Sequence, residues 1–384
     1  MIDEAVAMGL GVEAASFGEA ASAVQRCDPL HIVFDSPAKT LSELRWALEV
    51  GITINANSMT ELLRIGSVLS ERRRNGQPPS TSVIGLRINP IVSGGSIGMF
   101  AVSSSPESKF GHPIYSEPAR RAVLEAFAAY PWLSGLHCHV GSAGTSLSML
   151  AEGAKKLCDL ASEVDEHCGT KRVNTIDIGG GLATNYESEE VVPTFEEYST
   201  VLQSAAPSLF SDSSRRVFTE FGRSLTNKSG WVVSQVEYAQ EFDDDAEQPT
   251  RTVIGHAGAD LLLRACYRPD IYAHRINTFD GQTCEPLEVQ RPHSHGIVQH
   301  NLAGPLCFAG DYVKKGVELP HRLEPGDFVV VHDAGANTLA LWSRHCSRLA
   351  PPVFTYERVD DGELTVKMRV PGERLERVLD FWRG

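Results

Sequence analysis

The chain reads as an α/β domain with the rhythm of a (β/α)8-type barrel, followed by an antiparallel β domain. Two observations predict this. From Val12 to about Gly222, short β-branched runs alternate with longer amphipathic stretches, as in a parallel α/β fold. After about Ser229 helical periodicity nearly vanishes and strand-like runs take over. The domains are accordingly set at 1–229 and 230–384.

In the first domain, strands are expected at Val12–Ser16, His31–Asp35, Ile52–Ala56, Val83–Asn89, Leu133–Val140, Thr175–Gly179 and Arg216–Phe221. Helices fit between them at Leu41–Glu49, Thr60–Arg73, Glu117–Tyr130, Leu147–His167 and Phe195–Ala205. These are seven strands, one fewer than barrel closure needs, which would leave two unpaired apolar edges. Met1–Met8 looks like the last two turns of an amphipathic helix ending at Gly9, with no N-cap before it. The first barrel strand is therefore expected upstream of Met1. An open doubly wound sheet needs no eighth strand and fits the same pattern.

In the second domain, strands are expected at Trp231–Phe242, Val289–Gln290 and Phe328–His332, with a hairpin over Val353–Val370. Asp361-Gly362 is a good tight-turn pair for that hairpin. Thr278–Gly296 is polar and turn-rich and reads as a loop, as does Arg291-Pro292-His293-Ser294-His295 within it.

The chain has 384 residues, 42% of them hydrophobic, enough for two domains with real cores. A net charge of −14 argues against nucleic acid or an anionic membrane as partner. No apolar run approaches the length of a membrane span. Eight scattered cysteines form no C-x-x-C pair, so a reduced, cytoplasmic protein is expected, although an organelle-targeting peptide could precede Met1.

Three motifs fall at expected strand ends, the edge that carries active sites in a barrel. Thr175-Ile176-Asp177-Ile178-Gly179-Gly180-Gly181 runs an apolar strand into three glycines, whose bare N–H groups can close on a phosphate. In Gly135-Leu136-His137-Cys138-His139-Val140-Gly141-Ser142, both histidines face one side of a strand, so zinc is conceivable. Third and fourth ligands at metal spacing do not follow, and two hydrogen-bonded histidines are the plainer reading. Glu220-Phe221-Gly222-Arg223 places an acid and a base around a glycine, which alone could be a surface ion pair.

In this order the three motifs resemble the decarboxylase family that includes diaminopimelate, ornithine and arginine decarboxylases. Other blocks extend the resemblance through most of the chain: Gly11–Ser16, Ile32–Phe34 with Pro37–Thr40, Leu86–Pro90, Ser108–Gly111, Gly304-Pro305-Leu306-Cys307 with Asp311, and Asp333–Ala336. The resemblance implies an alanine-racemase-like barrel that binds pyridoxal 5′-phosphate, a C-terminal β domain, and a homodimer with shared sites acting on a small-molecule amino-acid substrate. It also implies roles. Glu220 would pair with the pyridine nitrogen, and His139 would stack on the ring. Gly179, Gly180, Gly181, Ser142 and Arg223 would hold the phosphate. Cys307 would act from the β domain of a second subunit, and Arg264 and Asp311 would meet the substrate.

Departures from the family pattern qualify this. The family's cofactor lysine lies on the first barrel strand, at a position falling before Met1, and Lys39 and Lys109 belong to other blocks. An acid that usually follows the G-P-x-C cysteine is Phe308 here, so pairing with a distal substrate ammonium is lost. The tyrosine that commonly follows D-A-G-A is Asn337. The expectation is an amino-acid decarboxylase. The alternative is an inactive homologue with a binding or regulatory role, and a related racemase is a third reading.

Overall fold

The computed structural model describes residues 2–92, 103–242, 250–291, 296–358 and 363–383, and these form two compact units. The first comprises Met1–Thr184 and Val191–Leu225, and the second Asn185–Glu190 and Thr226–Gly384. No helix of the described residues is long and apolar enough to cross a membrane.

The first unit is built on strands β1 (Val12–Ala14), β2 (Ile32–Phe34), β3 (Thr53–Ala56), β4 (Ile84–Asn89), β5 (His112–Pro113), β6 (Leu133–His137), β7 (Thr175–Asp177) and β8 (Arg216–Phe218). All pair in parallel, in the order β1-β2-β3-β4-β6-β7-β8, with the short β5 beside β4. A doubly wound sheet reverses direction partway; here spatial order follows chain order throughout, as in a barrel. Among the described residues β1 and β8 each pair on one side only. Both are correspondingly less buried than β2 and β3, whose residues are all covered.

The helices sit where their end signals put them. Thr40 and Thr194 form capping boxes with Glu43 and Glu197, and Ser16, Ser58, Ser116 and Ser146 accept from the first turn. Gly51 and Gly169 end their helices in the left-handed region, as does Gly9 after the helix Ile2–Ala7. The apolar faces of these helices and the strands between them make one continuous core. Several strands are shorter than expected: the β6 ladder stops at His137 and that of β7 at Asp177. The residues beyond, His139 and Gly179–Gly181, are thus freed from the ladder and available as loop.

The second unit contains strands β9 (Val232–Phe242), β10 (Thr250–Gly255), β11 (Ile276–Phe279), β12 (Val298–Ala303), β13 (Tyr312–Leu319) and β14 (Phe328–Val331). They form one sheet, ordered β11-β14-β9-β10-β12-β13. Every pairing in it is antiparallel except β10 with β12. Strands β15 (Val353–Arg358) and β16 (Leu364–Val370) form the expected hairpin, whose turn at Asp361-Gly362 lies outside the described residues. One expected strand is wrong. Val289–Gln290 belongs to a short helix, Leu287–Gln290, because Leu287 is fully buried in the second core and the turn closes on the carbonyl of Pro286. Burial of one leucine overrides the β preference of Val289. Of Arg291–His295, only Arg291 is described; it pairs with Asp280 and Asp327.

Candidate active site

Parallel strands buried on both faces should read as unbroken apolar runs. Here a polar side chain interrupts or ends most of them: Asp35 after β2, Asn55 on β3, Arg87 on β4, His137 on β6, Asp177 on β7 and Glu220 after β8. These groups meet. Arg87 Nη1 donates to Asp35 Oδ2 at 2.7 Å, and Asn55 Nδ2 to Asp177 Oδ2 at 3.1 Å. His137, fully buried, lies with Nδ1 3.5 Å from Asp35 Oδ1 and Nε2 3.4 Å from Glu220 Oε2.

The glycine run lies against this layer. The Gly179 N–H donates to Asp177 Oδ1 (3.0 Å), and the Gly180 N–H to His139 Nδ1 (3.2 Å). The Glu220 N–H closes back onto the Gly179 carbonyl (2.9 Å). A Cβ on Gly180 would collide with the Glu220 carbonyl, and one on Gly181 with that of Gly141. Gly179 and Gly181 have φ of +67° and +98°, which bulkier residues adopt at a cost. The close backbone approach therefore requires glycine.

The structure thus brings together His139, Gly179, Gly180, Gly181 and Glu220. Arg223, three residues after Glu220, is buried at the start of a helical turn. Ser142 is exposed in the loop beside Gly141. The candidates of the second unit are placed within that unit. Cys307 is exposed. Arg264 donates to the Tyr272 hydroxyl (3.1 Å), and its guanidinium lies 5.4 Å from that ring's centroid. Phe308 stacks on Tyr267, centroids 5.4 Å apart. Asp311, expected to meet substrate, is buried, with Oδ1 accepting from the Ala259 N–H (2.6 Å) and Oδ2 from the Leu306 N–H (2.7 Å). Each oxygen accepts from a backbone N–H, so this carboxylate holds the Gly304–Cys307 turn. Asp35, Arg87 and Asp177 are additions, signalled by charge within otherwise apolar strands such as Leu86-Arg87-Ile88.

Charge states follow from burial. Desolvation, then the charge of Asp35, pushes the Glu220 carboxyl upward. Desolvation and then Glu220 push Asp177 up to about 8. Burial, then Arg87, pushes His139 down to about 4. A neutral imidazole that accepts at Nδ1 is fixed in one orientation, with a quarter of its side chain exposed.

These features fit pyridoxal 5′-phosphate. Glu220 Oε1 is buried without a hydrogen-bond partner among the described residues, so it can accept from a protonated ring nitrogen. A Cβ on Gly222 would meet nothing within 4 Å, leaving room beside Glu220 and Arg223. Lys39 cannot act as a mobile amine: it is fully buried, bonded to the carbonyls of Ser36 and Asn55, and paired with Glu61.

A parallel barrel sheet presenting this arrangement defines a pyridoxal-phosphate-binding barrel protein. The model of the pyridoxal-dependent decarboxylase family, pyridoxal binding domain, matches residues 1–227, and the chain belongs to that family as a pyridoxal-dependent amino-acid decarboxylase. It is 28% identical to the diaminopimelate decarboxylase of Pseudomonas aeruginosa, over 98% of this chain and 81% of the relative. With that of Archaeoglobus fulgidus it shares 27% identity, over 88% and 77% of the two chains. The crystal structure of Helicobacter pylori diaminopimelate decarboxylase complexed with L-lysine has the same fold. Its TM-score is 0.78 at 24% identity, covering 100% of this chain and 86% of that one. The arginine decarboxylase of Paramecium bursaria Chlorella virus is similar at TM-score 0.67 and 20% identity, covering 89% and 82%.

Proposed function

We propose that this enzyme is a cytoplasmic homodimer that decarboxylates diaminopimelate or an amino acid close to it. The observation that carries the reading is the buried Glu220 Oε1, free to accept a hydrogen bond, between His139 and the glycine run. When bound, pyridoxal 5′-phosphate supplies the electron sink that takes up the electron pair left by departing carbon dioxide. The chain's own residues bind, orient and tune. Gly179–Gly181, Ser142 and Arg223 hold the phosphate, Arg223 with a planar charged fork. Neutral His139 covers the ring face, and Glu220 keeps the ring nitrogen protonated.

Cys307, brought by the second subunit, delivers the proton that replaces carbon dioxide on the substrate carbon. Asp311 holds the turn that presents it, and Arg264 grips a substrate carboxylate. The Phe308–Tyr267 stack, standing where an acid would pair with a distal ammonium, favours a substrate with a less basic tail.

The test loads the protein with pyridoxal 5′-phosphate and measures carbon dioxide release from meso-diaminopimelate, L-lysine, L-ornithine, L-arginine and L-2-aminopimelate. Release from diaminopimelate or aminopimelate ahead of the other three is expected. Release from arginine or ornithine first would overturn the substrate reading. Sedimentation of a monomer at micromolar concentration would overturn the shared-site arrangement.

A further inference from the structure

Glu220 sits in an unfavourable place for a carboxylate. Its side chain is 6% exposed, and Asp35 and Asp177 lie in the same layer, with Glu13 of β1 adding a further acid. Burial and like charge both favour its protonated form, and a protonated Glu220 could not keep a pyridine nitrogen charged. Against them work a side-chain hydrogen bond with Asp177 and the charge of Arg87. The Arg87 guanidinium is engaged with Asp35 at 2.7 Å. His139 lies 4.0 Å from Glu220 Oε2, but its Nδ1 is accepting from Gly180. His137 stands between the two acids, with Nδ1 facing Asp35 and Nε2 facing Glu220, and both nitrogens are fully buried. At 3.5 and 3.4 Å neither contact is a hydrogen bond, and the ring stands between two acids with both nitrogens unmatched; an imidazolium is the form that offers each carboxylate a donor. The order across the barrel layer is Arg87, Asp35, His137, Glu220.

We propose that His137 is a positioning residue whose imidazolium, bridged to Asp35 and Arg87, keeps Glu220 ionised and aimed at the pyridine nitrogen. The proposal rests on the reading of Glu220 as the partner of that nitrogen. His137 touches neither cofactor nor substrate; it acts through Glu220. Asp35 orients the imidazole, and Arg87 orients Asp35. Histidine suits the position because one ring can span two acids while carrying a single charge.

Two measurements test it. The first is ¹⁵N NMR of histidine-labelled protein, with the His137 signals assigned by their loss in His137→Asn. Both ring nitrogens should be protonated at pH 7, and Asp35→Asn should shift the ring toward its neutral form. A His137 that is neutral at pH 7 in the wild type overturns the proposal, whatever the protein binds. The second compares affinity for pyridoxamine 5′-phosphate with that for its carbocyclic counterpart, in which CH replaces the ring nitrogen. The wild type should prefer the pyridine ring about tenfold, the worth of one charge-assisted hydrogen bond. His137→Phe should reduce that preference to within about twofold, and should change nothing further in a Glu220→Gln background. If His137→Phe weakens both ligands in equal proportion, the residue only fills space and the proposal fails. Should His137→Phe not fold, Asp35→Asn serves in its place, with the same expected loss of preference. Failure of the wild type to bind either ring would refute the cofactor reading itself, while the NMR result still decides the role of His137.

Discussion

In the second unit, Asp333 is fully buried and its charges are met: Arg275 binds both oxygens at 3.1 and 3.2 Å, and Lys228 adds a contact at 3.1 Å. Asp327 is held the same way by Arg291, at 2.8 and 3.0 Å, and by the Glu324 N–H. The barrel unit contrasts with this. Asp35 Oδ1, both nitrogens of His137 and Glu220 Oε1 are buried without hydrogen-bond partners among the described residues. Buried polar groups that serve stability are saturated, since leaving one unpaired costs about 1–3 kcal/mol. The contrast is between these two sets of carboxylates rather than between whole units: in the second unit Asp260 Oδ1, both polar side-chain atoms of Asn227 and single nitrogens of His321, Arg322, His332 and Trp342 are also buried without partners among the described residues.

The contrast predicts opposite mutational outcomes. Glu220→Gln in the active, cofactor-loaded enzyme should lower turnover by about 10²–10³-fold, since its role is to stabilise charge that develops in the transition state. Cofactor affinity by fluorescence titration should change only a few-fold. Equal losses in turnover and affinity would mean that Glu220 merely holds the ring. Asp333→Ala should instead cost about 3 kcal/mol in urea unfolding, because two cations are left behind in a buried setting. Folding stability unaffected by that change would remove the basis of the comparison. Asp311→Ala should cost about 1–3 kcal/mol by stranding the Ala259 and Leu306 N–H groups, while Asp311→Asn recovers part of it. If Asp311→Asn abolishes substrate binding at unchanged stability, Asp311 contacts substrate after all.

The smallest effect is on pH dependence. A carboxyl raised on folding stabilises the folded state below its unfolded value and loses that contribution as pH rises through the folded value. Glu13 and Asp177 both reach about 8. The lowered histidines His139 and His300 act between about 4 and 6.5, in the opposite sense. Between pH 6.5 and 8 the carboxyls act without them, so cofactor-free protein should lose stability across that window. Asp177→Asn should flatten the slope, and an unchanged slope would show that Asp177 is not the titrating group.

Much of the barrel unit was legible because local signals agreed with tertiary ones. Caps such as Thr40 with Glu43 sit directly before periodic apolar runs, and glycines mark the ends. The motifs containing His139, Gly179–Gly181 and Glu220 were visible as blocks. The polar layer joining them was not, because Asp35, Arg87 and Asp177 come from strands far apart in sequence, and only the parallel register aligns them. The second unit was harder to read. Strand β12 alternates cleanly in burial, yet His300 and Asn301 interrupt its apolar signal. His300 is buried with its ring nitrogens paired to the Val298 carbonyl and the Leu323 N–H, a solution that pattern alone does not reveal. The backbone role of Asp311 was hidden for a related reason: nothing in the sequence shows the Ala259 and Leu306 N–H groups that meet its two oxygens.

Hydrogen exchange with and without saturating pyridoxal 5′-phosphate tests the central claim most directly, because it reads both units in one experiment. The groups left unsatisfied in the barrel unit should be those the cofactor completes. Protection should therefore rise at residues 179–182 and 220–223, and stay unchanged at 327–335, where Asp327 and Asp333 are already saturated. Equal protection across both stretches, or none at the glycine run, would contradict the account.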